Sequence, residues 1–385
     1  MDIKLFFNPL ESKKYSNKTQ WETTQIGRNI HIHTDENFPS LESADIVIFS
    51  CLEYFGSKNE VSKSDQFKFR DQLYKLHYKN LPSIVDLGDF IIDQDRKQNF
   101  KNLQNVCEFL IKKGKLPFIV GGGSDLTYAL YKAYANLNRF ITLTCIDSDF
   151  NLGLEGDVIS SESFFGKILS HKPNHLFQFN NLAYQSYLVS PLALDMMQSL
   201  NFDAYRLAEI QENPKELEPI MRNTDLLSFD ISAVSSAYSS ANYYSNPNGL
   251  TGQEACKVFR YAGISDKISS VILSEYNQNL DENNQTSSLM AQMIWYFIDG
   301  YVNRMDELNP KIKDCIKYTV AYNDGKNQIT FYKSLISGRW WMGVPFQKKQ
   351  VSSQIYYVAC SYSDYELAMH GDIPKKWLKT FNKFL

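Results

Sequence analysis

The sequence predicts an α/β fold of three layers, in which helices cover both faces of a mostly parallel sheet. Short β-branched segments alternate with amphipathic ones along most of the chain. The strand-like segments are almost continuously apolar, as is typical of strands covered on both faces. After about residue 306 the pattern changes to strands around a hairpin signal, which indicates a small C-terminal antiparallel β/α appendage. We therefore predict a main domain over 1–305 and an appendage over 306–385 packed on it.

Alternating segments carry the prediction for the main domain. The apolar, β-branched runs predict strands at 44–50, 83–89, 117–120, 141–146, 203–210, 224–230 and 269–275. Apolar residues at helical spacing predict helices over 64–77, 96–113, 252–262 and 284–304, and a further helix after the glycines at 121–123.

The appendage has its own signals. Lys317–Tyr322 and Gln328–Leu335 read as strands around Asn323–Asn327, whose Asp-Gly pair favours a hairpin turn, and Gln354–Cys360 reads as a third strand. Residues 374–385 form a basic amphipathic helix. We expect this helix to dock its Trp/Leu/Phe side on the appendage, with a partner or membrane surface as the alternative.

Composition excludes several classes of function. Of 385 residues, 43% are hydrophobic and 22% are charged, which excludes a disordered chain. The net charge of −3 provides no basic field for nucleic acid. None of the six cysteines forms a C-x-x-C pair, which argues against zinc fingers and for reduced thiols. No signal peptide and no apolar run of roughly 20 residues is present, so we predict a cytoplasmic protein without a membrane span.

Three predicted strands end in polar motifs, at 121–127, 147–152 and 228–232. Ligands of open α/β sheets bind beyond the carboxyl ends of the strands, so we expect these motifs to meet. The triple glycine lacks the lysine and the spacing of a nucleotide site. Carboxylates at two strand ends beside a glycine turn favour a site for a hard cation.

In this order the three motifs resemble the Gly-Gly-Asp-His-Ser, Asp-Ala-His-x-Asp and Ser-Phe-Asp-x-Asp signatures of the ureohydrolase superfamily, which includes arginase, agmatinase and formimidoylglutamase. Further segments resemble the family pattern, most closely that of formimidoylglutamase: Asp86–Asp89, Ser161–Phe165, Pro247–Ala255 and Ser274–Asn277. The likeness spans roughly residues 40–305 and implies an arginase-like α/β/α fold.

The resemblance implies a site for two Mn²⁺ ions held by four Asp and two His, and this sequence departs from it. Asp147 and Asp230 stand at the two bridging positions. The other four ligand positions carry Ser124 for the first His, Asp149 for the second His, and Asn151 and Ser232 for two Asp. Three carboxylates without an imidazole hold one hard ion at most, so we expect either no cofactor or a single Mn²⁺, Mg²⁺ or Ca²⁺ on Asp147, Asp149 and Asp230. Asp125 is an alternative ligand.

Two functions stay open at this point. The favoured one is a pseudoenzyme that has lost most dimanganese ligands, has no catalytic residue to assign, and keeps a role in binding a ligand or a partner. The alternative is an active, formimidoylglutamase-like hydrolase of linear amidines or guanidines that uses one hard ion. The features favouring it are retention of both bridging aspartates, of Glu275 and of the substrate loop at Ser161–Phe165.

The resemblance also places ligand-binding positions. Glu275 stands where the family's guanidinium-binding carboxylate lies, and Ser161 and Ser163 stand in the substrate loop. They predict a small cationic or amidine ligand. His-x-His at 31–33 and the histidines at 171 and 175 are candidates for a metal or a proton shuttle, but ordinary packing and surface positions are favoured. Homo-oligomerisation, common in the family, stays open.

Overall fold

A computed structural model describes residues 1–59, 68–153, 158–322, 327–346 and 354–384. Its main sheet has ten strands in the spatial order β1-β4-β3-β5-β10-β9-β6-β7-β8, and β2 also pairs with β4. Only β1 runs antiparallel to its neighbour. The strands are β1 Phe7–Asn8, β2 His31–Ile32, β3 Ile46–Cys51, β4 Ile84–Phe90, β5 Leu116–Val120, β6 Ile141–Ile146, β7 Leu176–Tyr184, β8 Asp203–Arg206, β9 Leu226–Asp230 and β10 Ser270–Ser274.

Helices cover both faces of this sheet. They are α1 Ser12–Tyr15, α2 Ile26–Asn29, α3 Phe69–Leu73, α4 Arg96–Lys112, α5 Thr127–Asn136, α6 Phe164–Ser170, α7 Pro191–Ser199, α8 Leu207–Glu212, α9 Leu217–Asn223, α10 Gly252–Ile264 and α11 Gln285–Val302. Residues of α10 and α11 form one core with the sheet, and residues of α4, α5 and α6 form a second core. The predicted three-layer fold is confirmed.

Two of the predicted elements of the main domain take a different form in the structure, and strand β7 was not predicted. The helix expected over 64–77 is a single short helix, α3, within the described part, because the carbonyls of Tyr74 and Leu76 accept hydrogen bonds from α2 at Gly27 and Ile26. Residues 60–67 lie outside the described part. The strand expected over 203–210 ends at Arg206, whose backbone N–H donates to the Glu209 side chain and opens α8.

The C-terminal region forms a separate antiparallel sheet, as predicted. Its four strands, in sequence order, are β11 Cys315–Tyr322, β12 Asn327–Ser334, β13 Trp340–Phe346 and β14 Gln354–Cys360, and helices α12 Tyr362–Met369 and α13 Lys375–Asn382 follow. Tyr322 pairs with Asn327 in the predicted hairpin, whose turn residues 323–326 lie outside the described part. Strand β13 was not predicted, since Gly343 and Pro345 disfavour a strand.

The terminal helix docks on this second sheet. Trp377 is buried and its indole N–H donates to the carbonyl of Gly343 at 2.9 Å. Phe381 packs against the same core, whereas Leu378 is exposed. The apolar docking expected for α13 is therefore confirmed for its aromatic residues and wrong for Leu378. No helix among the described residues is both long and apolar enough to cross a bilayer.

Arg222 of α9 joins the two sheets. Its Nη2 donates to the carbonyls of Trp340 and Cys360 at 3.1 Å each, and its guanidinium lies 4.8 Å from the centre of the Trp341 ring. Glu218 pairs with its Nε at 2.7 Å. These contacts hold the C-terminal sheet against α9. The division of the chain at residue 305 stays a prediction.

Replacing Arg222 tests this junction. We expect Arg222→Met to lower the free energy of unfolding by about 3 kcal/mol, because two buried carbonyls and Glu218 lose a charged partner. Urea denaturation followed by tryptophan fluorescence measures the loss. Arg139→Met is the matched control at an exposed arginine, and we expect a change below about 0.5 kcal/mol there. Equal effects of the two substitutions would contradict the assigned role.

Candidate functional site

The polar motifs meet in one cleft at the centre of the main sheet. They lie at the carboxyl ends of β5, β6 and β9, and because these strands run parallel in the order β5-β10-β9-β6 their ends share one edge of the sheet. The cleft has a volume of about 660 Å³. Its lining residues are Ser124, Asp147, Ser148, Asp149, Asn151, Gly153, Ser160, Ser161, Glu162, Leu188, Asp230, Ser232, Tyr244 and Asn246.

The glycine turn after β5 brings Ser124 to the floor of the cleft. Gly121 and Gly122 have φ values of 91° and 80°, which only glycine adopts without cost. The carbonyl of Gly122 accepts a hydrogen bond from the backbone N–H of Glu275 at 2.8 Å. Ser124 is buried, and its hydroxyl donates to the carbonyl of Ser161 at 3.4 Å.

Asp147 follows β6, is buried, and is held by its own loop. Its Oδ1 accepts the backbone N–H of Asp149 at 3.1 Å, and its Oδ2 accepts the side-chain amide of Asn151 at 2.6 Å. The Asp149 carboxylate in turn accepts the N–H of Phe150 at 2.6 Å. Each of these contacts uses a carboxylate oxygen as an acceptor for an N–H group.

Asp230 follows β9 on the neighbouring strand. It is 6% exposed, and its Oδ1 accepts the backbone N–H of Ser232 at 2.8 Å. Within the described part of the chain, no lysine, arginine or histidine pairs with Asp147, Asp149 or Asp230. Burial raises the pKa of Asp147 to about 7, and the charge of Asp149 adds to this effect. Burial and the charge of Asp147 raise the pKa of Asp230 well above its ordinary value.

Glu275 lies beneath the floor of the cleft, fully buried at a φ of 64°. Its Oε1 accepts the backbone N–H of Ser124 at 2.7 Å and the hydroxyl of Ser161 at 2.5 Å. Its Oε2 accepts the hydroxyl of Ser57 at 2.5 Å and the amide of Asn59 at 2.6 Å. Four donors of the chain itself therefore surround this carboxylate, and Ser124 and Ser161 separate it from the cleft.

The rim of the cleft carries a separate ion pair. Lys58 contacts Glu162 at 2.5 Å between Nζ and Oε1, and its Nζ lies 5.5 Å from the centre of the Tyr244 ring. Ser163 lies outside this cleft, in the wall of an adjoining groove, and its hydroxyl donates to the carbonyl of Val158 at 3.0 Å. Of the positions that the resemblance assigns to ligand binding, Ser161 lines the cleft, whereas Ser163 and Glu275 do not.

Asp125 points away from the cleft into a second charged cluster. Its carboxylate pairs with Arg96, whose Nε lies 3.4 Å from Oε1 of Glu53. Burial and the nearby Glu53 raise the pKa of Asp125 to about 8. Because Arg96 holds its carboxylate, Asp125 does not stand in as a ligand of the cleft.

The candidate histidines pack elsewhere. The His33 ring is buried, its Nδ1 lies 2.9 Å from the Leu87 carbonyl, and His31 is exposed, so the His-x-His pair forms no common site. His171 lies 3.1 Å from the hydroxyl of Tyr128, and Nδ1 of His175 lies 3.1 Å from the carbonyl of Pro173. None of them lines the cleft.

The residues of the cleft do not fit a pair of manganese ions. An N–H group of Asn151 occupies Oδ2 of Asp147, and Ser124 and Ser232 supply only neutral hydroxyls. Mn²⁺ sites are built from carboxylates and imidazoles, and no imidazole reaches this cleft. Among the described residues, no group of three or more His, Cys, Asp or Glu side chains is arranged to hold a metal ion.

The sheet order and the motif residues around the cleft define a protein of the ureohydrolase type. A family model described as "Arginase family" matches residues 55–299, and the chain belongs to this family. A formimidoylglutamase of Staphylococcus haemolyticus is 25% identical over 240 residues, which cover 59% of this chain and 77% of that protein.

Solved structures agree on the fold. A formiminoglutamase of Trypanosoma cruzi, crystallised with Mn²⁺, superposes with a TM-score of 0.64 at 20% identity and covers 74% of this chain and 100% of its own. A formimidoylglutamase of Bacillus subtilis superposes with a TM-score of 0.61 at 17% identity, covering 73% and 93%. The predicted superfamily and arginase-like fold are confirmed.

Sequence reasoning missed several residues of the site. Asn246 lines the cleft and directly precedes the Pro247–Ala255 segment, so its nearness to a family motif was a usable signal. Glu162 lies between the two serines assigned to the substrate loop. Ser57 and Asn59, the donors to Glu275, belong to no motif and lie more than 200 residues away in sequence.

The raised pKa values predict a pH dependence of stability. A folded-state pKa above the unfolded one means that the native state binds more protons, so this contribution is complete below about pH 4 and is lost as pH rises through about 7. Asp230→Asn keeps the acceptor for Ser232 and removes one charge. We expect its free energy of unfolding, relative to wild type, to rise by about 2 kcal/mol from pH 4 to pH 8.

Denaturant unfolding with a chelator present at both pH values measures this difference. Asp195→Asn, at an exposed aspartate of α7, is the control and should show no such trend. A difference between Asp230→Asn and wild type that does not change with pH would contradict the mutual repulsion of the buried carboxylates.

Proposed function

We propose that this chain is a pseudoenzyme of the arginase family whose cleft binds a small cationic ligand without a dimanganese centre. The observation that carries the proposal is the pair of buried carboxylates, Asp147 and Asp230, which face the cleft without a basic partner among the described residues. Buried charges in proteins are normally paired. A ligand that brings a positive charge would supply the missing partner.

Loss of catalysis follows from the donors that remain. Activation of water by two metals needs both ions held on either side of a shared nucleophile. Four of the six positions that the family resemblance assigns to ligands differ here, and the two that are kept, Asp147 and Asp230, are buried beside each other. We infer that the fold is kept for binding and that hydrolysis is not its function.

The lining of the cleft indicates the chemistry of the ligand. Besides the carboxylates it presents the hydroxyls of Ser124, Ser160 and Ser232 and the amides of Asn151 and Asn246. Planar cations with several N–H donors, such as amidinium and guanidinium groups, match an array of oxygen acceptors better than a compact ammonium does. Glu275 in this proposal positions the floor, because its carboxylate is occupied by the four donors of the chain.

One observation favours a second candidate. Asp147, Asp149 and Asp230 line the same cleft; they are not arranged around a common ion, but side-chain movements that brought the three carboxylates together would suit one hard ion. The alternative is therefore a single-metal hydrolase of linear amidines, in keeping with the formimidoylglutamases to which the chain is similar. Release of formamide or urea in the presence of Mn²⁺ or Mg²⁺ distinguishes it from the proposed binding protein.

The six cysteines, all free thiols and five of them buried, support a reducing compartment. We propose the cytoplasm as the location of the protein on this ground.

Calorimetry with methylguanidinium and excess chelator tests the binding function. We expect saturable binding to the wild-type protein and at least a tenfold loss of affinity in Asp230→Asn, because a charge-assisted contact is removed. Asp195→Asn, which carries the same substitution at an exposed site outside the cleft, should bind like wild type. Absence of binding by wild type, or binding that Asp230→Asn leaves unchanged, would contradict the proposal.

A further inference from the structure

A second concavity adjoins the acidic cleft, between α6 and α7. This apolar groove has a volume of about 760 Å³. The apolar side chains of its wall are Leu152, Leu169, Leu188, Leu192, Ala193 and Met196. The groove therefore offers a surface of a different chemistry from that of the cleft beside it.

The two concavities lie side by side. Asp149, Gly153, Glu162 and Leu188 belong to the walls of both. The acidic residues stand at the junction, whereas the aliphatic residues of α7 lie beyond it. Lys167 is the one basic residue in the described wall of the groove. A molecule that extends from the cleft into the groove thus passes from negative charge to aliphatic surface.

Two aliphatic side chains along this groove are exposed to solvent. Leu192 is 79% exposed and Leu188 is 43% exposed, and neither packs into the cores on the two faces of the sheet. Exposed apolar residues grouped in a concave wall mark binding sites, because burying them against a ligand removes apolar area from water. Isolated exposed leucines are common on protein surfaces, whereas leucines grouped along one groove indicate a binding site.

We propose that the ligand of this protein is a monocation attached to an unbranched apolar chain, whose charged group lies in the acidic cleft and whose chain lies in the apolar groove. This inference rests on the proposed function, since it extends the same cationic ligand. Two observations select this occupant over a second protein: the groove adjoins the cleft along four shared lining residues, and the charge of the cleft matches the head group.

A series of n-alkylguanidinium ions, from methyl through butyl to octyl, tests the proposal by calorimetry with excess chelator and below the micelle concentration. We expect affinity to rise by roughly two- to fourfold per methylene along the series, as burial of each CH₂ group predicts. Leu192→Ser with Met196→Ser should reduce the ratio of octyl to methyl affinity at least tenfold. The exposed Leu200→Ser, just beyond the end of α7 and outside the groove, should keep the wild-type ratio.

The outcomes separate the two proposals. Binding of methylguanidinium without any gain from chain length overturns the groove inference and leaves the cationic cleft standing. Failure of all members to bind overturns both. Octyl binding that Asp230→Asn leaves unchanged shows an apolar site independent of the cleft, which also overturns the inference. If the wild-type protein is a dimer and the double variant Leu192→Ser with Met196→Ser is a monomer, the groove is occupied by a second copy of the chain, which also overturns the inference.

Discussion

Charge balance at the ends of β6 and β9 is the constraint on which this cleft depends. Neighbouring parallel strands deliver Asp147 and Asp230 to one edge of the sheet, and the fold buries both. Among the described residues, the donors to the two carboxylates come from their own loops, at Asn151, Asp149 and Ser232. Such contacts lower the free-energy cost of burying a charged carboxylate but do not neutralise its charge. The cost that remains raises the pKa values of Asp147 and Asp230. In the proposed function, a cation from outside the chain supplies the positive charge that these carboxylates lack.

Glu275, directly after β10, connects the loops that form the floor of the cleft. Its carboxylate joins the loop after β3, the glycine turn after β5 and the segment at Ser161 through four hydrogen bonds. A buried carboxylate that is fully hydrogen-bonded fixes the parts it touches. In this protein the floor is therefore set by internal contacts. The residues left to meet a ligand are the aspartates, hydroxyls and amides above that floor, together with the aliphatic wall beyond it.

The sequence predicted the location of the site because its motifs lie at the carboxyl ends of parallel strands that are close together in one sheet. The motifs at Ser124, Asp147 and Asp230 were enough to bring these residues into a common cleft on topology alone. What they could not show is which side chains turn away: Asp125 pairs with Arg96, and Glu275 is enclosed by Ser57 and Asn59, contacts made between distant segments. Strand β13 was not predicted because Gly343 and Pro345 have low strand propensity. In the structure, pairing with β14 stabilises this strand.

Anomalous diffraction at the manganese edge tests the central claim most directly. Crystals grown at pH 8 with millimolar Mn²⁺, and with methylguanidinium in a parallel set, would show what occupies the space between Asp147 and Asp230. The account predicts no pair of manganese peaks and, in the second set, density for a planar cation against the two carboxylates. Two manganese peaks bridged by Asp147 and Asp230 would contradict it.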